Sequence, residues 1–194
     1  QVTLVSVADV DEVDWDVLNE ADAIIFGAPF GKPYRPTDFP NDQSSAPAAL
    51  RAASGRVLLN DQALDIDFTP PACFGNLRVV DGGDIPLIND DFDRHYRDIE
   101  QAVRFAIARD ILPVTVGGDD GVTNPVLRGL DGLSDITLIQ IDAHLDFVDI
   151  RHGVTRGHGN PMRRAAEKES TRSVARFLKL MTWLLLGPVG KIPY

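Results

Sequence analysis

Short apolar runs that are continuous rather than alternating constrain the fold of this chain more than any other feature. Continuous runs of this length are typical of strands that are buried on both faces of a parallel sheet. We therefore predict four strands: Ala23–Phe26, a run that ends near Val80, Leu112–Val116 and Ile136–Ile141.

Helical patterns lie between these runs. In the segment DFDRHYRDIEQAVRFAIARD, one apolar face recurs at helical spacing: Tyr96, Ile99, Val103 and Ile107. Two shorter helices are predicted, one in SSAPAALRAA with Ser45 or a neighbour as its cap, and one in NPVLRGL. Strands and helices that alternate in this way predict an open α/β fold with helices on both faces of the sheet.

The balance of charge limits the partners that this chain could bind. There are 29 acidic and 19 basic residues among 194, which gives a formal net charge of −10. This charge disfavours nucleic acid and anionic membranes as partners, and it favours a cationic small molecule. The single cysteine, Cys73, allows no intrachain disulfide, which fits the reducing conditions of the cytoplasm.

Metal-type ligands follow the last predicted strand, in the stretch IQIDAHLDF. If extended geometry persists there, Asp142, His144 and Asp146 project to one side, because alternate side chains of a strand share a face. A second acidic pair, Asp119 and Asp120, follows the preceding strand. Because open α/β sheets bind ligands at the carboxyl edge of their strands, we expect the two groups to converge.

Such a convergence indicates a metal site. Carboxylates that lie close together repel one another, and a divalent cation relieves that repulsion. Oxygen donors with one imidazole and no thiolate suit Mn²⁺ better than a structural zinc ion. The alternative is a polar strand end, with solvated aspartates and a hydrogen-bonded histidine.

His158 is a further candidate functional residue. It lies between two glycines in RGHGNPMRR, so we expect its ring on an exposed loop. Because imidazole titrates near neutral pH, this side chain is a candidate proton carrier. An ordinary surface histidine is the alternative interpretation.

Five segments in this spacing, FGAPFG…APAALR, VVDGGDI, VGGDD, IDAHLD and HGNPMRR, resemble the ureohydrolase family of arginases and agmatinases. The resemblance runs from about Ala23 to Glu167 and is closer to agmatinase-like members. It implies a three-layer α/β/α fold around a parallel sheet, with a binuclear Mn²⁺ centre. It also implies hydrolysis of agmatine or a similar guanidinium cation to urea and an amine, a role in polyamine biosynthesis, and a homo-oligomeric complete protein.

The resemblance also implies roles for individual residues. Carried over by position, it implies metal ligands at Asp142, His144 and Asp146. Asp120 stands where the family usually has a histidine ligand, and aspartate can also bind Mn²⁺. His158 matches the proton-shuttling histidine of the family.

The sequence departs from the family beyond about residue 167. The later S-x-D-x-D-x-x-D-P motif, which supplies two further ligands in the family, has no counterpart, and no aspartate follows Asp149. Residues 168–194 carry five Lys or Arg and one Glu, a net charge of +4, so the preceding residues carry −14. We therefore expect a truncated, partial ureohydrolase domain over residues 1–167, a divergent basic tail over residues 168–194, and a chain that is inactive or nearly so.

Two other functional classes remain open at this point. One is a non-catalytic relative that acts as a binding or regulatory subunit. The other is a different metal hydrolase on a similar α/β core, such as a deacetylase-like enzyme. The chain has no His-His pair of the type that such deacetylases use, which weighs against the second class.

Overall fold

The computed structural model describes residues 19–38, 42–58, 77–133 and 136–168. In chain order its strands and helices are β1 (Ala23–Ala28), α1 (Ala46–Leu58), β2 (Val79–Asp84), α2 (Phe92–Ile107), β3 (Leu112–Gly117), α3 (Thr123–Gly129) and α4 (Pro161–Ala166). Short 3₁₀ turns lie at Pro36–Asp38, Asp42–Ser45 and Asp120–Val122. None of the helices within these ranges is long and apolar enough to span a membrane. The predicted tail lies outside the described residues, apart from Lys168.

The described sheet has three parallel strands in the order β2-β1-β3. Ala23 of the central strand is opposite Val79 on one side and Leu112 on the other. Three of the four predicted strands are therefore confirmed. The second of them continues to Asp84, past the predicted end near Val80, because Asp81 still pairs with β1. All three strands run the same way, so their carboxyl ends lie at one edge of the sheet.

Helices α1 and α2 cover opposite faces of this sheet, as the predicted three-layer α/β/α fold requires. Alternate residues of β1 point to opposite faces. Phe26 belongs to a buried cluster with Ile99 and Val103 of α2. Gly27 points to the other face, where an added Cβ atom would lie 2.8 Å from Pro47 of α1. The chain thus has helices on both faces, as expected from the alternation of strands and helices.

Helix α2 presents the apolar face that the sequence predicts. The side chain of Asp91 caps its first turn by accepting a hydrogen bond from the backbone N–H of Arg94 at 2.9 Å. Tyr96, Ile99 and Val103 are buried against the sheet. Local helical periodicity is therefore sufficient to identify this helix and the face that it packs.

The fourth predicted strand is wrong. Residues 136–141 contain no strand, and Ile139 and Ile141 are 57% and 77% exposed. An apolar run becomes a strand only when a neighbour pairs with its backbone, and within the described ranges β3 pairs with β1 alone. For the same reason β3 is less buried than predicted, with Leu112 and Val114 63% and 38% exposed.

Candidate metal centre

A capped turn after β3 sets the position of Asp120. The carboxylate of Asp119 accepts a hydrogen bond from the backbone N–H of Gly121 at 2.7 Å. It also accepts one from the backbone N–H of Gly31, in the loop after β1, at 3.2 Å. Asp119 is thus engaged with backbone groups, and only its neighbour Asp120 belongs to the acidic group described below.

The segment that contains Asp142 bends instead of extending. Oδ1 of Asp142 accepts a hydrogen bond from the backbone N–H of His144 at 2.7 Å, and this bond closes a local turn. Asp146 has a φ of +46°, in the left-handed region that aspartate tolerates better than most residues. The expectation that extended geometry continues past Ile141 is therefore wrong, and strand alternation does not decide which side chains converge.

Three of the predicted metal ligands nevertheless lie together at the carboxyl edge of the sheet. Carboxylate oxygens of Asp120, Asp142 and Asp146 all lie within 4.8 Å of one another. The side chain of His144 is 80% exposed, and it is not part of this group. Its Nδ1 lies 3.3 Å from Oδ1 of Asp142. The three aspartates thus come together from two separate segments, and the imidazole of His144 lies beside them without belonging to the group.

Burial and neighbouring charge raise the pKa values of two of these carboxylates, Asp120 and Asp146. Burial, followed by the charge of Asp142, raises the pKa of Asp146 to about 6. Burial and the charge of Asp142 also raise the pKa of Asp120, while the charges of His158 and His144 act on that pKa in the opposite direction. A divalent cation would reverse the upward shifts, because it stabilises the ionised carboxylates.

The donor set fits a hard or borderline divalent cation. Carboxylate oxygens suit Mn²⁺ and Mg²⁺ better than they suit ions that prefer thiolates. Gln140 adds a polar side chain beside the group, because its Nε2 donates hydrogen bonds to Oδ2 of Asp146 at 3.2 Å and to the carbonyl oxygen of His144 at 3.1 Å. Its Oε1 is buried and has no hydrogen-bond partner within the described part of the chain. Sequence reasoning missed this residue, although it is the single amide in an apolar run.

His158 lies on an exposed loop, as its flanking glycines predict. Its ring packs edge-on against the ring of Tyr34, with 4.5 Å between the centroids. The hydroxyl of Tyr34 accepts a hydrogen bond from the backbone N–H of Gly159 at 2.8 Å and donates one to Oδ1 of Asn160 at 2.9 Å. These contacts restrict the positions that the imidazole can take.

Tyr96 joins three backbone segments around the site. Its hydroxyl accepts a hydrogen bond from the backbone N–H of Lys32 at 2.8 Å. The carbonyl oxygens of Gly121 and Arg156 lie 2.9 and 3.0 Å from the same hydroxyl. Burial raises the pKa of Tyr96, so the phenol keeps the proton that it donates. From the sequence this residue is only a member of an apolar helix face, and no local pattern indicates these contacts.

The fold is a three-layer α/β/α arrangement, and three carboxylates lie close together at the carboxyl edge of its parallel sheet. The chain belongs to the Arginase family, whose sequence profile matches residues 21–177. This match confirms the resemblance to ureohydrolases that the motifs indicate.

Individual members of the family agree with this assignment. A guanidinobutyrase from Pseudomonas aeruginosa is 35% identical over 102 residues, which are 52% of this chain and 32% of that protein. An agmatinase from Bacillus subtilis is 29% identical over 167 residues, which are 84% of this chain and 53% of that protein. The crystal structure of a formiminoglutamase from Trypanosoma cruzi with Mn²⁺ superposes with a TM-score of 0.60 at 25% identity, covering 77% of this chain and 49% of that one. The chain therefore spans about a third to a half of the length of these relatives.

Proposed function

We propose that the protein is a Mn²⁺-dependent ureohydrolase, which hydrolyses the guanidinium group of a small molecule to urea and an amine. The observation that carries this proposal is the convergence of Asp120, Asp142 and Asp146 at the strand ends of an Arginase-family chain. The agmatinase and guanidinobutyrase relatives support the reaction class, and the formiminoglutamase structure with Mn²⁺ supports the metal.

In this proposal the three aspartates hold Mn²⁺ through their carboxylate oxygens, and His144 is a further ligand. The ring of His144 is exposed, and its Nδ1 already lies 3.3 Å from Oδ1 of Asp142, beside the group. The binuclear form of the centre is the one that the sequence resemblance implies. When bound, the metal lowers the pKa of water, so that a nucleophile is available near neutral pH.

The chain's own residues would bind the substrate and move protons. The three aspartates would hold the metal, and the net negative charge of the whole chain would favour the approach of a guanidinium cation. His158 would donate a proton to the departing amine nitrogen, which general acid catalysis requires at this step. The edge-on contact with Tyr34 would hold the imidazole in place while it does so.

Two classes of substrate suit such a site. Agmatine has an ammonium group at its other end, whereas guanidino acids such as 4-guanidinobutyrate have a carboxylate there. The relatives include an agmatinase and a guanidinobutyrase. A role in polyamine biosynthesis belongs to the agmatine alternative. A homo-oligomeric state, a cytoplasmic location and the absence of nucleic-acid and membrane partners stay predictions from the sequence.

Ligand binding and urea release test this proposal together. The purified chain, loaded with Mn²⁺, should bind agmatine or 4-guanidinobutyrate in calorimetry. Release of urea from the bound compound would contradict the sequence-based prediction of inactivity and identify the substrate. Binding without urea release would support the sequence-based prediction that this chain alone is inactive. If the Mn²⁺-loaded chain bound neither compound, the proposed function would be wrong.

A further inference from the structure

A cavity of about 250 Å³ lies on the rim of the site, beside the candidate proton carrier. It is lined by Tyr34, Arg35, Asp38, Arg151, His152 and His158. Two guanidinium groups and two imidazoles therefore accompany one carboxylate. The net negative charge of the whole chain favours a cationic small molecule, but the charge of this cavity has the opposite sign.

One of the two arginines is already paired within the cavity wall. Nε and Nη2 of Arg35 donate hydrogen bonds to Oδ1 of Asp38, at 3.2 and 3.0 Å. Arg35 also holds the pKa of Asp38 below its usual range, so this carboxylate stays ionised and balances the guanidinium. The remaining permanent charge of the cavity is that of Arg151, and the imidazoles of His152 and His158 add to it when protonated.

Arg151 is presented by a two-residue turn. Its backbone N–H donates a hydrogen bond to the carbonyl oxygen of Val154 at 3.0 Å, and the N–H of Val154 donates one back at 2.9 Å. His152 and Gly153 between them have φ values of +49° and +78°, as a tight hairpin turn requires. The guanidinium of Arg151 lies 5.2 Å from the centroid of the Tyr34 ring and forms no ion pair with any residue that the structure describes. It is thus available to an anion.

The cavity adjoins the acidic group through two side chains. His158 lines the cavity, and its charge lowers the pKa of Asp120, against the larger upward effect of burial. Tyr34 also lines the cavity, and burial, with a smaller contribution from the charge of Asp146, raises its pKa. The backbone N–H of Val148, two residues after Asp146, donates a hydrogen bond at 2.9 Å to the carbonyl oxygen of Gly159, which follows His158. The acidic group and the cationic cavity are therefore neighbours.

We propose, on the basis of the function proposed above, that the substrate is a guanidino acid whose carboxylate binds Arg151 while its guanidinium group lies at the metal site that the three aspartates form. The substrate would be a zwitterion whose carboxylate end matches the positive charge of Arg151. A guanidinium group and a carboxylate can form two parallel hydrogen bonds, which adds specificity as well as binding energy. The ammonium end of agmatine would instead meet the like charge of Arg151, which disfavours its binding.

Calorimetry on the full chain loaded with Mn²⁺, at low salt, tests this assignment with 4-guanidinobutyrate and agmatine. The wild type should bind 4-guanidinobutyrate at least about tenfold more tightly than agmatine, the size expected for one charge-assisted contact. Arg151→Ala should weaken the binding of 4-guanidinobutyrate by about tenfold and leave that of agmatine unchanged or tighter. Arg151→Glu should reverse the preference. Arg94→Ala is the matched control, because Arg94 is an exposed arginine of α2 that pairs with Asp98 and lines neither the cavity nor the acidic group.

The possible outcomes separate this inference from the proposed function. Tighter binding of agmatine by the wild type would overturn the guanidino-acid assignment and leave the proposed ureohydrolase function intact. If Arg151→Ala weakened the binding of 4-guanidinobutyrate and of agmatine equally, at an unchanged Tm, the assignment would also be overturned. A contact with a carboxylate should affect only 4-guanidinobutyrate, because agmatine has no carboxylate. Binding of neither compound by the wild type would overturn the proposed function and this inference with it.

Discussion

The hydroxyl group of Tyr34 donates a hydrogen bond to Oδ1 of Asn160 at 2.9 Å, across 126 positions of the sequence. Asn160 is fully buried, and its Oδ1 also accepts a hydrogen bond from the backbone N–H of Gly157 at 2.8 Å. Its Nδ2 donates to the carbonyl oxygen of Val148 at 2.7 Å. One amide side chain therefore closes the loop that carries His158 and ties this loop to the segment after β1.

Replacement of Asn160 by alanine should destabilise the chain. The change leaves the buried groups that Asn160 now pairs without partners, and each such group costs about 1–3 kcal/mol. We expect a loss of about 3 kcal/mol in the free energy of unfolding, measured by urea denaturation. Gln101→Ala is the control, because Gln101 is an exposed residue of α2, and alanine is a good helix former there. A loss below about 0.5 kcal/mol in Asn160→Ala, the range of neutral surface substitutions, would contradict this account of the loop.

Replacement of Asp142 by asparagine should weaken the binding of Mn²⁺. The variant keeps the shape of the side chain and removes one of the three charges that lie within 4.8 Å of one another. We expect a loss of at least about tenfold in Mn²⁺ affinity by calorimetry, because removal of one anionic donor from such a site weakens its electrostatic attraction. Asp98→Asn, on α2 and paired with Arg94, should leave the affinity unchanged. Equal affinity in wild type and Asp142→Asn would remove Asp142 from the proposed ligands.

The stabilisation of the chain by Mn²⁺ should depend on pH around the pKa of Asp146. Burial and the charge of Asp142 raise this pKa from an ordinary value of 3.8 to about 6. Without metal, the raised pKa contributes stability below pH 3.8, and this contribution is lost as pH rises through 6, because the folded state holds the proton more tightly than the unfolded state. Mn²⁺ competes with that proton, so the upward shift of Tm that it causes should be larger at about pH 7.5 than at about pH 5. Equal shifts at the two pH values would contradict a role for Asp146 in binding the metal.

Local sequence patterns predict the parts of this fold that local interactions determine. The apolar spacing of Tyr96, Ile99 and Val103 identifies α2 correctly, because a helix makes its hydrogen bonds within its own segment. The run Ile136–Ile141 has an equally clear apolar pattern and is not a strand, because a strand depends on a partner elsewhere in the chain. In this chain, the apolar pattern alone is therefore a more reliable predictor of the helix α2 than of the strand expected at Ile136–Ile141.

In the candidate site, too, the sequence predicts some features and misses those that depend on contacts between distant segments. Asp120, Asp142 and Asp146 were predicted to converge, because parallel strands bring their carboxyl ends to one edge. The three do converge, although not through the extended backbone on which that prediction relied. Asn160 could not be identified in advance, since its contacts join segments far apart in the sequence. Net charge likewise does not predict the charge of an individual cavity, because this chain has a net charge of −10 and yet has a cationic cavity around Arg151.

Replacement of Gly118 by alanine should disturb the connection between β3 and the turn that begins at Asp120. An added Cβ atom at Gly118 would lie 2.0 Å from the carbonyl oxygen of Pro29 and 2.9 Å from that of Gln43. Both neighbours are backbone atoms, so the loop after β1 must move, and we expect a loss of about 3 kcal/mol in the free energy of unfolding, together with weaker Mn²⁺ binding.

Gly132→Ala provides the contrast to Gly118→Ala. Gly132 has a φ of +99° and nothing within 4 Å of an added Cβ atom, so this change adds backbone strain without a steric clash. It should cost about 1 kcal/mol and leave Mn²⁺ binding unchanged. Urea denaturation and calorimetry on both variants compare the two effects directly. The clash at Gly118 lies two residues before Asp120, so a shift of the backbone there should also move the Asp120 side chain. If Gly118→Ala bound Mn²⁺ as tightly as the wild type does, the close approach of Gly118 to the loop after β1 would have no part in placing Asp120.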